Sequence, residues 1–96
     1  LRYASKVDSN QKEIVAALRK KGAVVLITSQ LKNCFDVLVC HNSNVYLVEI
    51  KDGSLAPSAR KLTKGEQQFK EKVESVGVKY HVITSVSEAI LMIEQK

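Results

Sequence analysis

The chain has 96 residues, enough for one domain with one core and too few for two, so residues 1–96 are expected to fold as a single unit. With 45% apolar and 26% charged residues, the composition excludes a disordered tail, and no apolar run approaches the ~18–20 residues of a membrane-spanning helix. Fifteen Lys and Arg against ten Asp and Glu give +5, a balance that suits a polyanionic partner such as nucleic acid and equally suits simple solubility. The five aromatics (Tyr3, Phe35, Tyr46, Phe69, Tyr80) are too scattered to form a base-stacking platform. Cys34 and Cys40 have no CxxC spacing, which argues against a structural zinc site or a disulfide scaffold and, with no signal-peptide pattern in the opening residues, fits a reducing cytoplasm.

Asp8-Ser9-Asn10 reads as a helix start, with Asn10 and Glu13 spaced as a capping box. Ile14, Val15, Ala17 and Leu18 then form a helical apolar stripe, Arg19-Lys20-Lys21 load the last turn, and Gly22 ends it. Ala23 to Thr28 is apolar and β-branched, hence a strand, and Ser29 to Cys34 is polar and irregular. Phe35–His41 and Val45–Lys51 are two further strands around the turn-forming His41-Asn42-Ser43-Asn44. Asp52 to Lys61, with Gly53 and Pro57, is expected to be an exposed loop. Thr63, with Glu66 three residues on, caps a second helix whose buried face should be Phe69, Val73 and Val76 and which stops at Gly77. Val78–Ile83 is a fourth strand, and Ser85 with Glu88 opens a last helix carrying Ala89, Ile90, Met92 and Ile93. The order α-β-β-β-α-β-α predicts an α/β fold: a mixed four-stranded sheet, flanked by helices.

The central hairpin carries the chemistry. If Asn42-Ser43 is a two-residue loop, paired positions sum to 85, which sets Asp36 opposite Glu49 with Cβ atoms about 4.5–5.5 Å apart. Leu38, Cys40, Val45, Leu47 and Lys51 share their face. Two carboxylates side by side repel, and a divalent ion relieves that repulsion. Mg²⁺ takes oxygen ligands and is held by one or two carboxylates plus substrate phosphate. It can polarise a phosphate oxygen, beside which Lys51 would stabilise developing negative charge. In the plainer reading, Lys51 pairs with Glu49 or Asp36 at an exposed strand end.

Asp36, twelve intervening residues and Glu49-Ile50-Lys51 resemble the PD-(D/E)xK nuclease signature. The element order is similar to that superfamily's restriction-endonuclease-like αβββαβ core. More closely, Asp8-Ser9-Asn10-Gln11 with Ile14-Val15 and Leu18-Arg19, Val48 to Gly53, and Leu62-Thr63 with Gln67 and Phe69 resemble small phage-type nucleases of the VRR-NUC group and, more distantly, archaeal Holliday junction resolvases. The resemblance spans residues 8–84, and Phe35 stands where the motif's proline would be. It implies that Asp36, Glu49 and the Ile50 backbone carbonyl bind Mg²⁺ or Mn²⁺ and that Lys51 is the catalytic lysine. It also matches Glu13 to an acid that in some branches supports the metal site, and Gln67 to a glutamine near the metal's waters or the substrate. Each has a plainer reading, as a capping-box glutamate and a solvated helix residue.

Lys32, Arg60, Lys61 and Lys64 neighbour these elements in sequence and are candidates for gripping phosphates, with the helix start at Thr63 offering backbone N–H groups. His41 and His81 read as a turn flank and a packing residue. The expectation is a metal-dependent deoxyribonuclease, an endonuclease selective for double-stranded or branched DNA structure, acting as a homodimer in the cytoplasm. The helix from Ser85 to Gln95 would pack at the dimer interface or cover the sheet. The alternatives are an inactive nucleic-acid-binding module of the same fold and an unrelated small α/β interaction domain.

Overall fold

The computed structural model describes residues 9–95; Asp8, in the expected helix start, lies outside them. The elements are α1 (Gln11–Lys20), β1 (Val24–Ile27), β2 (Val37–His41), β3 (Asn44–Ile50), a 3-10 turn (Pro57–Arg60), α2 (Lys64–Ser75), β4 (Tyr80–Ile83) and α3 (Val86–Glu94). This is the order read from the sequence, with the 3-10 turn added inside the expected loop. The four strands form one mixed sheet in the order β1-β2-β3-β4, antiparallel except for the β3–β4 pair. Val78 and Lys79 do not join β4. The Val78 and Gly77 N–H groups instead close the end of α2, donating to the Val73 and Glu74 carbonyls, with Gly77 at a left-handed φ of 87°.

The β2–β3 register is the one the turn chemistry dictates. Asn42 and Ser43 have φ of 49° and 68°, a two-residue turn whose twist matches the strands, and His41 pairs with Asn44, Val39 with Tyr46 and Val37 with Val48. Alternation then sends Val37, Val39, Val48 and Ile50 to one face, where they are fully buried against Ile14, Val15 and Leu18 of α1 and Ala89, Met92 and Ile93 of α3. So α3 covers the sheet, and its apolar stripe is spent on the core.

Two expectations about helices fail. Asn10 does not cap α1. Its backbone is already helical (φ −89°, ψ −1°), and its side-chain N–H groups donate instead to the carbonyls of Lys51 (3.1 Å) and Thr84 (3.0 Å), one residue past β3 and β4. The α2 stripe is only partly covered: Phe69 and Val73 are half-buried and Val76 is 76% exposed. The helix lies over the β4 side of the sheet, with the Phe69 ring against Phe35 and Tyr80. The rest of that face, toward β1, is left to solvent.

Candidate active site

The site forms where the apolar hairpin ends. The Asp36 main chain extends the sheet by one residue: its N–H donates to the Val48 carbonyl (2.9 Å) and its carbonyl accepts from Thr28 N–H (2.7 Å). The β2–β3 register does not continue through Asp36, whose N–H bonds to Val48, already the partner of Val37, and not to Glu49 as the sum of 85 expects; its charge still reaches the Glu49 carboxyl. One carboxylate oxygen accepts the Ile50 N–H at 2.8 Å. Glu49 is 3% exposed, so this strand end is not the exposed one that a purely structural ion pair would occupy.

Lys51 follows β3 and reaches two carboxylates, Glu49 at 3.4 Å and Glu66 at 3.0 Å. Glu66 comes from the first turn of α2. The same Oε1 that takes the Lys51 ammonium accepts Thr63 N–H (2.9 Å), while Thr63 Oγ1 accepts Glu66 N–H (3.2 Å). The capping box read from the sequence is therefore present, and its glutamate faces into the site. Tyr80 adjoins Glu49; its hydroxyl donates to the Cys34 carbonyl (2.6 Å), and its oxygen lies 3.4 Å from Glu49.

Three carboxylates against one ammonium leave an excess of negative charge, and it falls on Glu49. Burial, then the Asp36 charge, then the hydrogen bond and charge of Glu66 push its carboxyl up to about 9, with Lys51 opposing. Burial alone would also raise Glu66, but the Thr63 N–H, the Glu49 carboxyl and Lys51 hold it below the ordinary range. Burial would lower Lys51, and the two glutamates outweigh it, leaving the ammonium firmly charged. Asp36, Glu49, Thr63, Glu66 and Lys32 line one open cleft of about 360 Å³, walled by the loop from Ser29 to Phe35. Among the described residues, no three His, Cys, Asp or Glu side chains form a ready-made metal cage.

A solved structure described as "VRR_NUC domain" superposes with a TM-score of 0.64 at 18% sequence identity, covering 90% of this chain and 96% of that chain. The chain has the VRR_NUC fold. No family model matches it, and no curated protein matches its sequence.

Within the VRR_NUC fold, the candidate residues separate. Asp36, Glu49 and Lys51 are brought together, and Lys32 joins them at the rim. Glu13 is not: it is exposed on α1 and lines a different cleft with Asn10, Asp52 and Thr84. Gln67 is turned to solvent and pairs with Glu71 along α2 (3.0 Å), outside the cleft lining. Arg60 is half-buried and Lys61 and Lys64 exposed; they adjoin Thr63 in sequence without lining the cleft. His81 packs its ring edge-on against Tyr46, and burial, then Lys79, lowers its pKa. Sequence reasoning missed Glu66 and Tyr80 as site residues. Glu66 was visible only as a cap, and the Tyr80 position depends on the parallel pairing that sets it beside Leu47.

Proposed function

We propose that this domain is a divalent-metal-dependent endonuclease acting on double-stranded or branched DNA. The observation that carries the reading is the buried Glu49 beside the half-buried Asp36, with Lys51 against Glu49, at a cleft in a nuclease-like fold. The donor set suits Mg²⁺ or Mn²⁺: all oxygen, with a carboxyl whose pKa is raised by burial and then by neighbouring negative charge. Asp36, Glu49 and the Ile50 carbonyl are the proposed ligands, and the ion, when bound, supplies Lewis-acid neutralisation at the scissile phosphate. Lys51 Nζ stabilises charge developing on the phosphoryl oxygens. Lys32 at the rim, with Arg60, Lys61 and Lys64 beyond it, provides phosphate contacts that position a backbone without reading sequence. No helix among the described residues is long and apolar enough to cross a membrane. Cys34 and Cys40, both free, fit a cytoplasmic setting.

Incubating the protein with supercoiled plasmid, a four-way junction, a flap and single-stranded DNA tests the reading. Cleavage should require Mg²⁺ or Mn²⁺ and stop in EDTA, and Lys51→Ala should slow it by about 10²–10³-fold. Cutting of no substrate under any metal, or wild-type rates from Lys51→Ala, would sink the nuclease assignment.

We further propose a homodimer, formed through the sheet face that α2 leaves open rather than through α3. Register places Val24, Cys40 and Val45 in one row across β1–β3 and Leu26, Leu38 and Leu47 in the next. Val24, Leu26 and Val45 are 69%, 58% and 64% exposed. These two rows carry no charge, so they offer a polyanion nothing to hold; a second copy of the same apolar face is the occupant that suits them. Sedimentation should give a dimer for the wild type and a folded monomer for Leu26→Glu. A monomeric wild type at about 100 μM would remove the dimer from the proposal.

A further inference from the structure

We propose that Glu66 is a positioning residue for Lys51, seating the ammonium on the same oxygen that caps α2. The inference rests on the nuclease reading for its catalytic consequence, and on geometry alone for the seating itself. Lys51 lies past the last β3 residue on a four-carbon stem, so the strand fixes its Cα and not its Nζ. Glu66 has no such freedom. Its carboxylate is held by Thr63 N–H, its own N–H by Thr63 Oγ1, and the oxygen that takes the cap hydrogen bond at 2.9 Å takes Nζ at 3.0 Å. The turn that carries it is wedged in place: Gly65 packs against the Asn33 side chain so closely that a Cβ would clash. Asn33 belongs to the loop walling the cleft.

This arrangement solves a problem of donor allocation. An ammonium has three N–H groups. Glu66 takes one at 3.0 Å, while Glu49 is an ion-pair neighbour at 3.4 Å, so N–H groups are left for a substrate phosphate. If Glu49 turns its oxygens to a cation, Glu66 is the partner that still holds Nζ. Because α2 has no fully buried residue, the pair also ties the helix to the sheet at the point where chemistry is proposed.

The experiment compares Glu66→Ala, Glu66→Gln and Thr63→Ala with the wild type, by melting temperature, by kcat and KM on a Mg²⁺-supported DNA substrate, and by NMR of the Lys51 ammonium in ¹⁵N-lysine-labelled protein. Glu66→Ala should lose about 10–100-fold in kcat with KM within about threefold, the scale expected for a misplaced catalytic group. It should also lose the slowly exchanging Lys51 ammonium signal. Glu66→Gln keeps an oxygen acceptor for both bonds and should recover kcat to within about fivefold and retain the signal. Thr63→Ala breaks the cap from its other side. It should lower the melting temperature about as much as Glu66→Ala and leave the Lys51 signal in place. An unchanged Lys51 signal in Glu66→Ala overturns the proposal whether or not the protein cuts DNA. Equal kcat losses in Thr63→Ala and Glu66→Ala also overturn it, because capping alone would then account for Glu66. A wild type that cuts nothing overturns the nuclease reading instead, while the ammonium signal still decides the seating.

Discussion

Glu49→Gln should stabilise the metal-free protein, and the gain should grow as pH rises. The native carboxyl is pushed up to about 9 by burial, Asp36 and Glu66, whereas in the unfolded chain it returns to its ordinary value near 4.5. Between those limits the native state holds a proton that the unfolded chain releases. Stability therefore falls as pH rises through that window, by at most about 1.4 kcal/mol per unit. Glutamine cannot ionise and removes the slope. Sharing of charge with Asp36, Glu66 and Lys51 spreads the titration, so a gain of about 2–4 kcal/mol at pH 8, shrinking toward zero at pH 5, is the scale to look for. Glu66 does not blur this window. Its pKa lies below the ordinary value, so its contribution is lost only as pH falls below about 4.5. The opposite slope from His81, whose pKa is lowered below 6.5, is common to both proteins and cancels in the difference. Urea unfolding in EDTA at pH 5, 6.5 and 8 measures it. A gain independent of pH would contradict a buried, repelled Glu49. The variant should also lose cleavage, so that the residue costs the resting fold stability and serves only the loaded site.

Asp36 predicts a different pattern, because it has two jobs. Its carboxylate repels Glu49, but it also accepts the Ile50 N–H at 2.8 Å. Asp36→Ala leaves that N–H without its acceptor at a buried strand end, at a cost of about 1–3 kcal/mol. Relief of the repulsion on Glu49 offsets part of the cost. Asp36→Asn can present its amide oxygen to Ile50 and should fold as well as the wild type or better. Both variants should lose at least about 10²–10³-fold in Mg²⁺-dependent cleavage, since neither keeps the charge proposed for the metal. Calorimetric Mg²⁺ titration with parallel cleavage assays separates the two roles. An Asp36→Asn protein that cuts within about threefold of wild type would remove Asp36 from the site.

The hairpin shows why so much of this site was legible. Asn42-Ser43 is a local signal, a strand alternates with a period of two, and a two-residue turn fixes the register. Those hold from the turn to the Val37–Val48 pair and bring Asp36, Glu49 and Lys51 to the same end of the hairpin, although Asp36 bonds to Val48 and not to Glu49. The Thr63–Glu66 and Ser85–Glu88 helix starts were readable for the same reason, because each is a contact three residues apart. Asn10 was misread because its spacing to Glu13 fits a cap, while its real acceptors, the carbonyls of Lys51 and Thr84, are 41 and 74 residues away.

Local pattern thus settled the identity of the strands, the register of the hairpin up to Val37–Val48 and the order of the elements. Long-range packing settled which surface each element meets, and that is where the expectations gave way. A helical stripe states that Phe69, Val73 and Val76 are apolar and not whether a sheet lies beneath all three; α2 sits toward β4, and Val76 is left in water. Glu13 and Gln67 matched by position along the chain, but α1 packs on the opposite face of the sheet from the carboxylate pair, and Gln67 lies on the solvent side of α2. Glu66 read as a cap and proved to be a cap whose oxygen also meets Lys51, fifteen residues away. A charge acts through space, and the environment that drives Glu49 to about 9 exists only when β2, β3 and the start of α2 are folded against one another.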